Sequence, residues 1–234
     1  MTEREIPKIS IIIPVLNESA IIGRLITYLK NNSNSNTIKE IIIVDGGSKD
    51  DTIAILKKFD VTTLFSEKGR AKQLNHGAKK ATGNILYFLH ADTYPPKNFD
   101  SLILEAYKSG AETGCFRMQF DSKNPFLQFF GWLSRINHTL CRGGDQSLFI
   151  TKVLFEKNIG FNESYLIYED SEFISRLYKT TNFKILPQNV ITSARKYRQK
   201  GWVRVQFHFG MIHLKNYFGA QPEQLYKYYI KYLC

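Results

Sequence analysis

Apolar positions in the first 95 residues come in short unbroken runs, and residues at helical spacing fill the intervals between them. Ile9 to Val15 (I-S-I-I-I-P-V), Lys39 to Val44 and Ile85 to Leu89 have the length and composition of strands buried on both faces, with Val61 to Phe65 as a shorter one. Between them the spacing predicts helices from about Ala20 to Lys30, from the Asp50-Asp51-Thr52 start through Phe59, and from Gly69 to about Ala81, with a polar loop over Asn31 to Asn36. Strands alternating with helices imply βαβ units, hence an α/β fold with a mainly parallel central sheet flanked by helices. Right-handed crossovers bring Pro14 to Glu18, Asp45-Gly46 and His90 to Thr93 to one sheet edge, where open α/β sheets bind ligands. Three polar turns there make a nucleotide-sized crevice.

The second half is less regular. Glu112 to Phe120 reads as a strand, and Phe126 to Leu140 as a helix whose apolar stripe suits core packing or an interfacial contact. Gly143 to Gln146 is a turn before a strand, Ser147 to Ile150. Leu166 to Asp170 leads into a helix, which puts Glu169 and Asp170 at a helix N-terminus, as caps or as functional acids. Beyond Arg195 the pattern predicts two helices, split at Gly219 to Pro222.

The central strand ends in His90-Ala91-Asp92-Thr93, and Pro95-Pro96 stops it. An unpaired buried carboxylate is costly, so Asp92 either caps the following segment or meets a metal or phosphate.

Composition narrows this only slightly. The chain has 234 residues, enough for one large α/β domain with an appendage. Its three cysteines, Cys115, Cys141 and Cys234, match neither a disulfide framework nor a zinc spacing. No apolar run approaches the ~20 residues of a membrane span. Met1 to Glu5 lacks a signal-peptide pattern, so a cytoplasmic location is expected. Charge is uneven: of the 32 Lys/Arg and 21 Asp/Glu, residues 195–234 hold eight basic residues against Glu223 alone. That basic, aromatic tail is a solvated face or a surface for anionic lipid, nucleic acid or a phosphorylated substrate.

In this order the motifs resemble those of glycosyltransferase family 2. They are I-I-I-P-V-L-N-E (Ile11 to Glu18), V-D-G-G-S-K-D-D-T (Val44 to Thr52), G-R-A-K-Q-L-N-H-G (Gly69 to Gly77), L-H-A-D-T (Leu89 to Thr93), and Glu169-Asp170 with Ser175-Arg176-Leu177. The resemblance implies a GT-A fold over residues 1–194, with a nucleotide-binding half over about 7–95, an acceptor half over about 96–194, and a helical extension over 195–234. It implies inverting transfer of a sugar from a nucleotide-diphosphate donor to an acceptor hydroxyl. A narrower match, including G-D-Q-S-L-F, T-S-A-R-K-Y and G-A-Q-P-E-Q-L-Y, resembles a bacterial subgroup labelled arsenosugar-biosynthesis glycosyltransferases.

Carried over residue by residue, the family pattern makes Asp170 the general base, with Glu169 as runner-up. Pro14, Asn17, Glu18 and Asp45 would floor the nucleotide pocket. Gly69-Arg70 and Arg195 would meet the diphosphate or base, and Gly144, Asp145 and Gln146 would line the acceptor side. Asp92 stands for the second acid of the family's D-x-D motif, with Ala91 as its middle residue, and would hold Mn²⁺ or Mg²⁺. His90 replaces the first acid and coordinates the metal, binds phosphate directly or shapes the turn. Gly46 replaces a second family Asp. Expected partners are the nucleotide-sugar donor and a small-molecule or lipid-linked acceptor, with peripheral contact to the membrane's inner face through the tail. A nucleotidyltransferase shares this fold half but needs a Gly- and Arg-rich phosphate loop. A nucleic-acid binder would leave Asp45, Asp92, Glu169 and Asp170 repelling phosphates, so no nucleic acid is expected.

Overall fold

The computed structural model describes residues 7–234; the N-terminal stretch read above for a signal peptide lies outside them. The donor half runs β1 (Ile9–Val15), α1 (Ile22–Asn31), β2 (Ile38–Asp45), α2 (Thr52–Leu56), β3 (Thr62–Phe65), α3 (Arg70–Lys80) and β4 (Ile85–Phe88). Then follow β5 (Thr93–Tyr94), α4 (Phe99–Lys108), β6 (Thr113–Phe120), α5 (Pro125–Leu133), β7 (Leu148–Thr151), α6 (Lys152–Lys157), α7 (Glu169–Thr180) and β8 (Lys184–Thr192). The tail is α8 (Arg195–Lys200), α9 (Trp202–Tyr217) and α10 (Pro222–Leu233). The strands form one eight-stranded sheet in the order β3-β2-β1-β4-β7-β6-β8-β5.

Every residue of β1 is buried, as a run without polar alternation requires. Its odd positions Ile9, Ile11 and Ile13 pack with Leu25, Leu29, Phe99 and Ile103 of α1 and α4. Ile12 points the other way, into Leu74 and Ala78 of α3 and Phe173 and Leu177 of α7. The result is a helix–sheet–helix sandwich. Pro14 is tolerated in a central strand because pairing with β4 stops at Ile12↔Phe88, while pairing with β2 continues to Val15↔Asp45. β4 therefore parts from β1 beside Pro14 while β1 and β2 stay paired to their ends.

The sheet is parallel from β3 to β4, as the alternation predicts. In the second half β7 runs antiparallel to both β4 and β6, and β5 antiparallel to β8. The proline stop at Pro95 is real, yet Thr93-Tyr94 first pairs with Ile191 and Thr192. The long helix expected to Leu140 ends at Leu133. Ser134 is buried, and its hydroxyl donates to Gly131 O at 2.6 Å while accepting from Met118 N at 2.9 Å, which breaks the helical run. The tail has three helices rather than two, because Gly201 (φ 89°) introduces a break besides the one at Gly219 (φ 81°).

A third apolar cluster joins Phe120, Leu127 and Ile167 to Tyr197, Val205, Ile212, Leu225 and Leu233. Residues of the tail thus share this cluster with residues that precede it. Among the described residues no helix is long and apolar enough to cross a membrane.

Candidate active site

The donor side is built from backbone turns. Asp45, at the end of β2 and 2% exposed, accepts from Gly47 N and Ser48 N, each at 2.9 Å, and from the Ser48 hydroxyl. Asn17 adopts φ 57°, donates its N–H to Ser48 Oγ at 2.8 Å and accepts from Lys49 N at 2.7 Å. Glu18 N donates to Thr52 Oγ1 at 2.9 Å. The turns after β1 and β2 are thereby laced into one rigid lip. Gln73 of α3, 3% exposed, fastens it from below by donating to Val15 O at 2.9 Å and Val44 O at 2.7 Å. A Cβ on Gly46 would lie 3.0 Å from that Gln73 amide, so the glycine and the glutamine fit as a pair.

Arg195 reaches back to the lip. Its Nη2 lies 3.3 Å from Glu18 Oε1 across 177 residues of sequence. Burial raises the pKa of Glu18, and Arg195 only partly offsets it. Burial and the charge of Asp145 likewise raise Asp92, against the pull of His90 and Arg195. The structure thus brings Glu18, Asp92 and Arg195 into one electrostatic field.

His90 is the hub. Its Nδ1 lies 3.3 Å from Asp145 Oδ1 and its Nε2 3.5 Å from Asp170 Oδ2. Burial disfavours a charged ring, but the two carboxylates outweigh it and push the His90 pKa up to about 10. In return, despite burial, His90 and Arg70 hold Asp170 below the usual carboxylate range, and His90, Arg70 and Lys196 do the same for Asp145. Gly144 lets this cluster close: a Cβ there would fall 2.0 Å from Asp170 Oδ2 and 2.6 Å from His90 Cε1. His90, Gly144 and Asp170 line one small pocket, walled by Leu74, Phe88, Leu148 and Ile174. A larger cleft of about 550 Å³, lined by Arg24, Tyr28 and Phe59 among others, holds none of these residues.

Glu169 is fully buried beside Arg70, whose Nε lies 2.6 Å from Oε1. That contact is an ion pair off the N–H direction, and neither Glu169 oxygen accepts a well-formed hydrogen bond. Burial, offset in part by Arg70, pushes the Glu169 pKa up to about 7. Arg70, expected at the diphosphate or base, pairs with Glu169 and keeps 43% of its side chain exposed. Gly69 enters α3 at φ 143°, a backbone that a glycine adopts freely.

Gln146 departs from its expected role. It is 4% exposed, accepts from Cys115 Sγ at 3.3 Å and from Arg142, and so turns into the core rather than toward an acceptor. Both ring nitrogens of His90, one of the two residues expected at a metal, face carboxylates, Asp145 through Nδ1 and Asp170 through Nε2. Among the described residues no group of three His, Cys, Asp or Glu is disposed to hold a metal. Ala91 is buried and Asp92 half-buried at the turn between them.

Residues 10–166 match the family described as Glycosyl transferase family 2. The chain belongs to that family. Within it, the chain is 26% identical over 200 residues to a probable glycosyltransferase, YdaM, of Bacillus subtilis, covering 75% of this chain and 47% of that protein. It is 25% identical over 194 residues to the poly(ribitol-phosphate) β-N-acetylglucosaminyltransferase TarS of Staphylococcus aureus, covering 75% and 33%. The chain therefore spans half or less of the curated relatives' length. The fold superposes on the mannosyltransferase PcManGT of Pyrobaculum calidifontis, solved with GDP-Man and Mn²⁺, with TM-score 0.68, 18% identity, and 93% and 66% coverage. It also superposes on TarS residues 1–349 solved with UDP, with TM-score 0.65, 20% identity, and 80% and 60% coverage. Both likenesses establish the GT-A fold of this family 2 chain.

Sequence reasoning passed over Gln73, Asn75 and Tyr168. Asn75 accepts from Phe161 N at 2.9 Å and donates to Phe161 O at 2.8 Å, which clamps α3 to the loop before α7. Tyr168 precedes Glu169 at φ 71°. The signal for the first two lay in the G-R-x-x-Q-x-N spacing, which puts Arg70, Gln73 and Asn75 within two helical turns.

Proposed function

We propose that this chain is an inverting glycosyltransferase, which moves a sugar from a nucleotide-diphosphate donor to an acceptor hydroxyl. The observation that carries this reading is Asp170, a carboxylate held ionised by His90 and Arg70 at the first turn of α7, next to the turn that bears Asp92. In the reaction the acceptor oxygen attacks the anomeric carbon, the bond to the diphosphate oxygen breaks with its electron pair, and the hydroxyl proton passes to Asp170. Glu169 has the pKa closer to neutrality, but geometry decides first: it has no exposed surface from which to reach an acceptor, whereas Asp170 keeps 15%. His90 engages Oδ2 of Asp170 and leaves Oδ1 for the acceptor.

Developing charge on the leaving diphosphate falls among Arg195, Arg70 and the His90 imidazolium. Mn²⁺ or Mg²⁺, held by Asp92 and the donor's own phosphates, would neutralise more of it. Asp45, Asn17, Glu18 and Pro14 form the lip against which the base would lie. The acceptor would be a small molecule or a lipid-linked hydroxyl, the latter suited to the basic, aromatic tail.

The test is a thermal-shift series with UDP, GDP, ADP, CMP and dTDP, each with Mn²⁺, Mg²⁺ or chelator, on wild type and Asp92→Ala. A nucleotide at ~100 times its Kd adds roughly 2.7 kcal/mol. One diphosphate should stabilise wild type, with metal enhancing the shift only when Asp92 is intact. The matching nucleotide sugar should then release nucleoside diphosphate, with at least a hundredfold loss in Asp170→Asn. No stabilisation by any nucleotide, or more than a tenth of the activity retained in Asp170→Asn, would overturn the reading.

A further inference from the structure

α9 is apolar on two opposite faces, which a helix that only caps a core does not need. One face carries Val205 and Ile212, both buried in the third cluster. The other presents Val203 (68% exposed), Phe207 (60%), Leu214 (46%) and Tyr217 (82%). These recur at i, i+4, i+11 and i+14, a single straight stripe, and Gly210 at i+7 faces open space. Among the described residues nothing else covers it.

From this stripe and its charge we infer that α9 is the docking face for an anionic lipid bilayer. The stripe is bordered by cations without an acidic partner: Arg204 donates to Tyr232 O, Lys215 sits 5.1 Å from the Tyr228 ring centre, and neither forms a salt bridge. Only Glu223 opposes the eight Lys/Arg of residues 195–234. An aliphatic and aromatic row with cations along one edge suits a helix that lies in the interface plane, its apolar side among acyl chains and its cations at the headgroups. A second copy of the same face would bring like charges together on a chain of net charge +11, so self-association does not fit. Nucleic acid suits the cations but gives Val203 and Leu214 nothing to bury against. On the neighbouring α5, Phe129 and Trp132 are also half exposed and spaced for one helix face. The inference is independent of the sugar-transfer chemistry, because none of the stripe residues lies among the site residues.

Flotation with vesicles of phosphatidylcholine alone, or with 30 mol% phosphatidylglycerol, tests it on the full chain. Wild type should float with the anionic vesicles and bind neutral ones at least tenfold more weakly. The double variant F207E/L214E, at two exposed positions, should lose at least tenfold of that binding while keeping its melting temperature. A tryptophan placed by Phe207→Trp should shift to shorter wavelength and be quenched by brominated acyl chains only with anionic vesicles. Background flotation of wild type overturns the inference. So does undiminished binding by F207E/L214E, an unquenched tryptophan, concentration-dependent dimerisation abolished by the same variant, or equal stripe-dependent binding to single-stranded RNA.

Discussion

The Tyr168 hydroxyl lies 2.9 Å from Nδ1 of His213, so the residue that precedes helix α7 is held by the tail helix α9. Their rings meet edge to face, with centroids 5.0 Å apart. Tyr168 sits at φ 71°, a conformation a tyrosine keeps only when its surroundings fix it. The tail therefore braces the turn that aims Glu169 and Asp170.

That brace is pH-sensitive. Burial lowers the pKa of His213 from 6.5, so the fold favours its neutral ring. A depressed folded-state pKa supplies stability above the ordinary value and loses it as pH falls below 6.5. Tyr168→Phe should cost about 0.5–1.5 kcal/mol at pH 7.5 and lower transfer activity. The gap in melting temperature between wild type and variant should narrow by pH 5. A gap that is the same at both pH values would show that the neutral His213 ring is not the partner that matters.

His90 obeys the opposite sign. Its folded-state pKa is raised to about 10, so its stabilisation is complete below 6.5 and is lost only as pH rises through about 10. In an NMR titration its ring Cε1–H resonance should stay at the imidazolium position from pH 5 to pH 8. His90→Gln should destabilise by a constant amount below about pH 6.5 and by progressively less from there to pH 8. A ring that titrates near 6.5 would mean that Asp145 and Asp170 do not bridge it.

Arg70→Met removes the cation beside a fully buried Glu169. The raised Glu169 pKa means that its carboxyl favours the fold when protonated, and the advantage disappears as pH passes about 7. Breaking a buried pair costs about 3–5 kcal/mol, and with Arg70 partly exposed about 1–3 kcal/mol is expected at pH 8.5. The loss at pH 5.5 should be markedly smaller, because Glu169 then takes up a proton. Comparing the two melting curves checks this, and equal losses would refute it.

Gly144 and Gly143 form a matched control. Gly144→Ala drives a methyl into the Asp170 carboxylate and should lower activity at least tenfold with little change in melting temperature. Gly143→Ala meets nothing within 4 Å at an extended φ of −169° and should be neutral on both counts. Equal activity in the two variants would remove the packing of Gly144 against Asp170 from the mechanism.

The donor half was readable because its signals are local. β1 is found at Ile9–Val15 as the apolar run predicts, and the acids at strand ends follow from strand length alone. The His90 bridge was not readable, since Asp145 and Asp170 come from turns 55 and 80 positions away whose approach depends on a glycine contact. Gln146 was misplaced for the same reason: a glutamine in a polar turn looks solvent-facing until a buried Arg142 claims it. Ser134 ended a helix that the apolar stripe continued, because a side-chain hydroxyl competing for the backbone leaves no trace in periodicity.

The Arg195–Glu18 pair also bears on how the molecule is made. Synthesis delivers Glu18 and the parallel strands early, and the chain can begin to pair β1 with β2 and β4 while the rest is still being added. The cation that completes the lip arrives 177 residues later, and the helix that braces Tyr168 later still. A nascent chain can therefore own both turns of the lip while the cation that bridges back to Glu18 is still unmade, so this lip is completed only once the tail has folded.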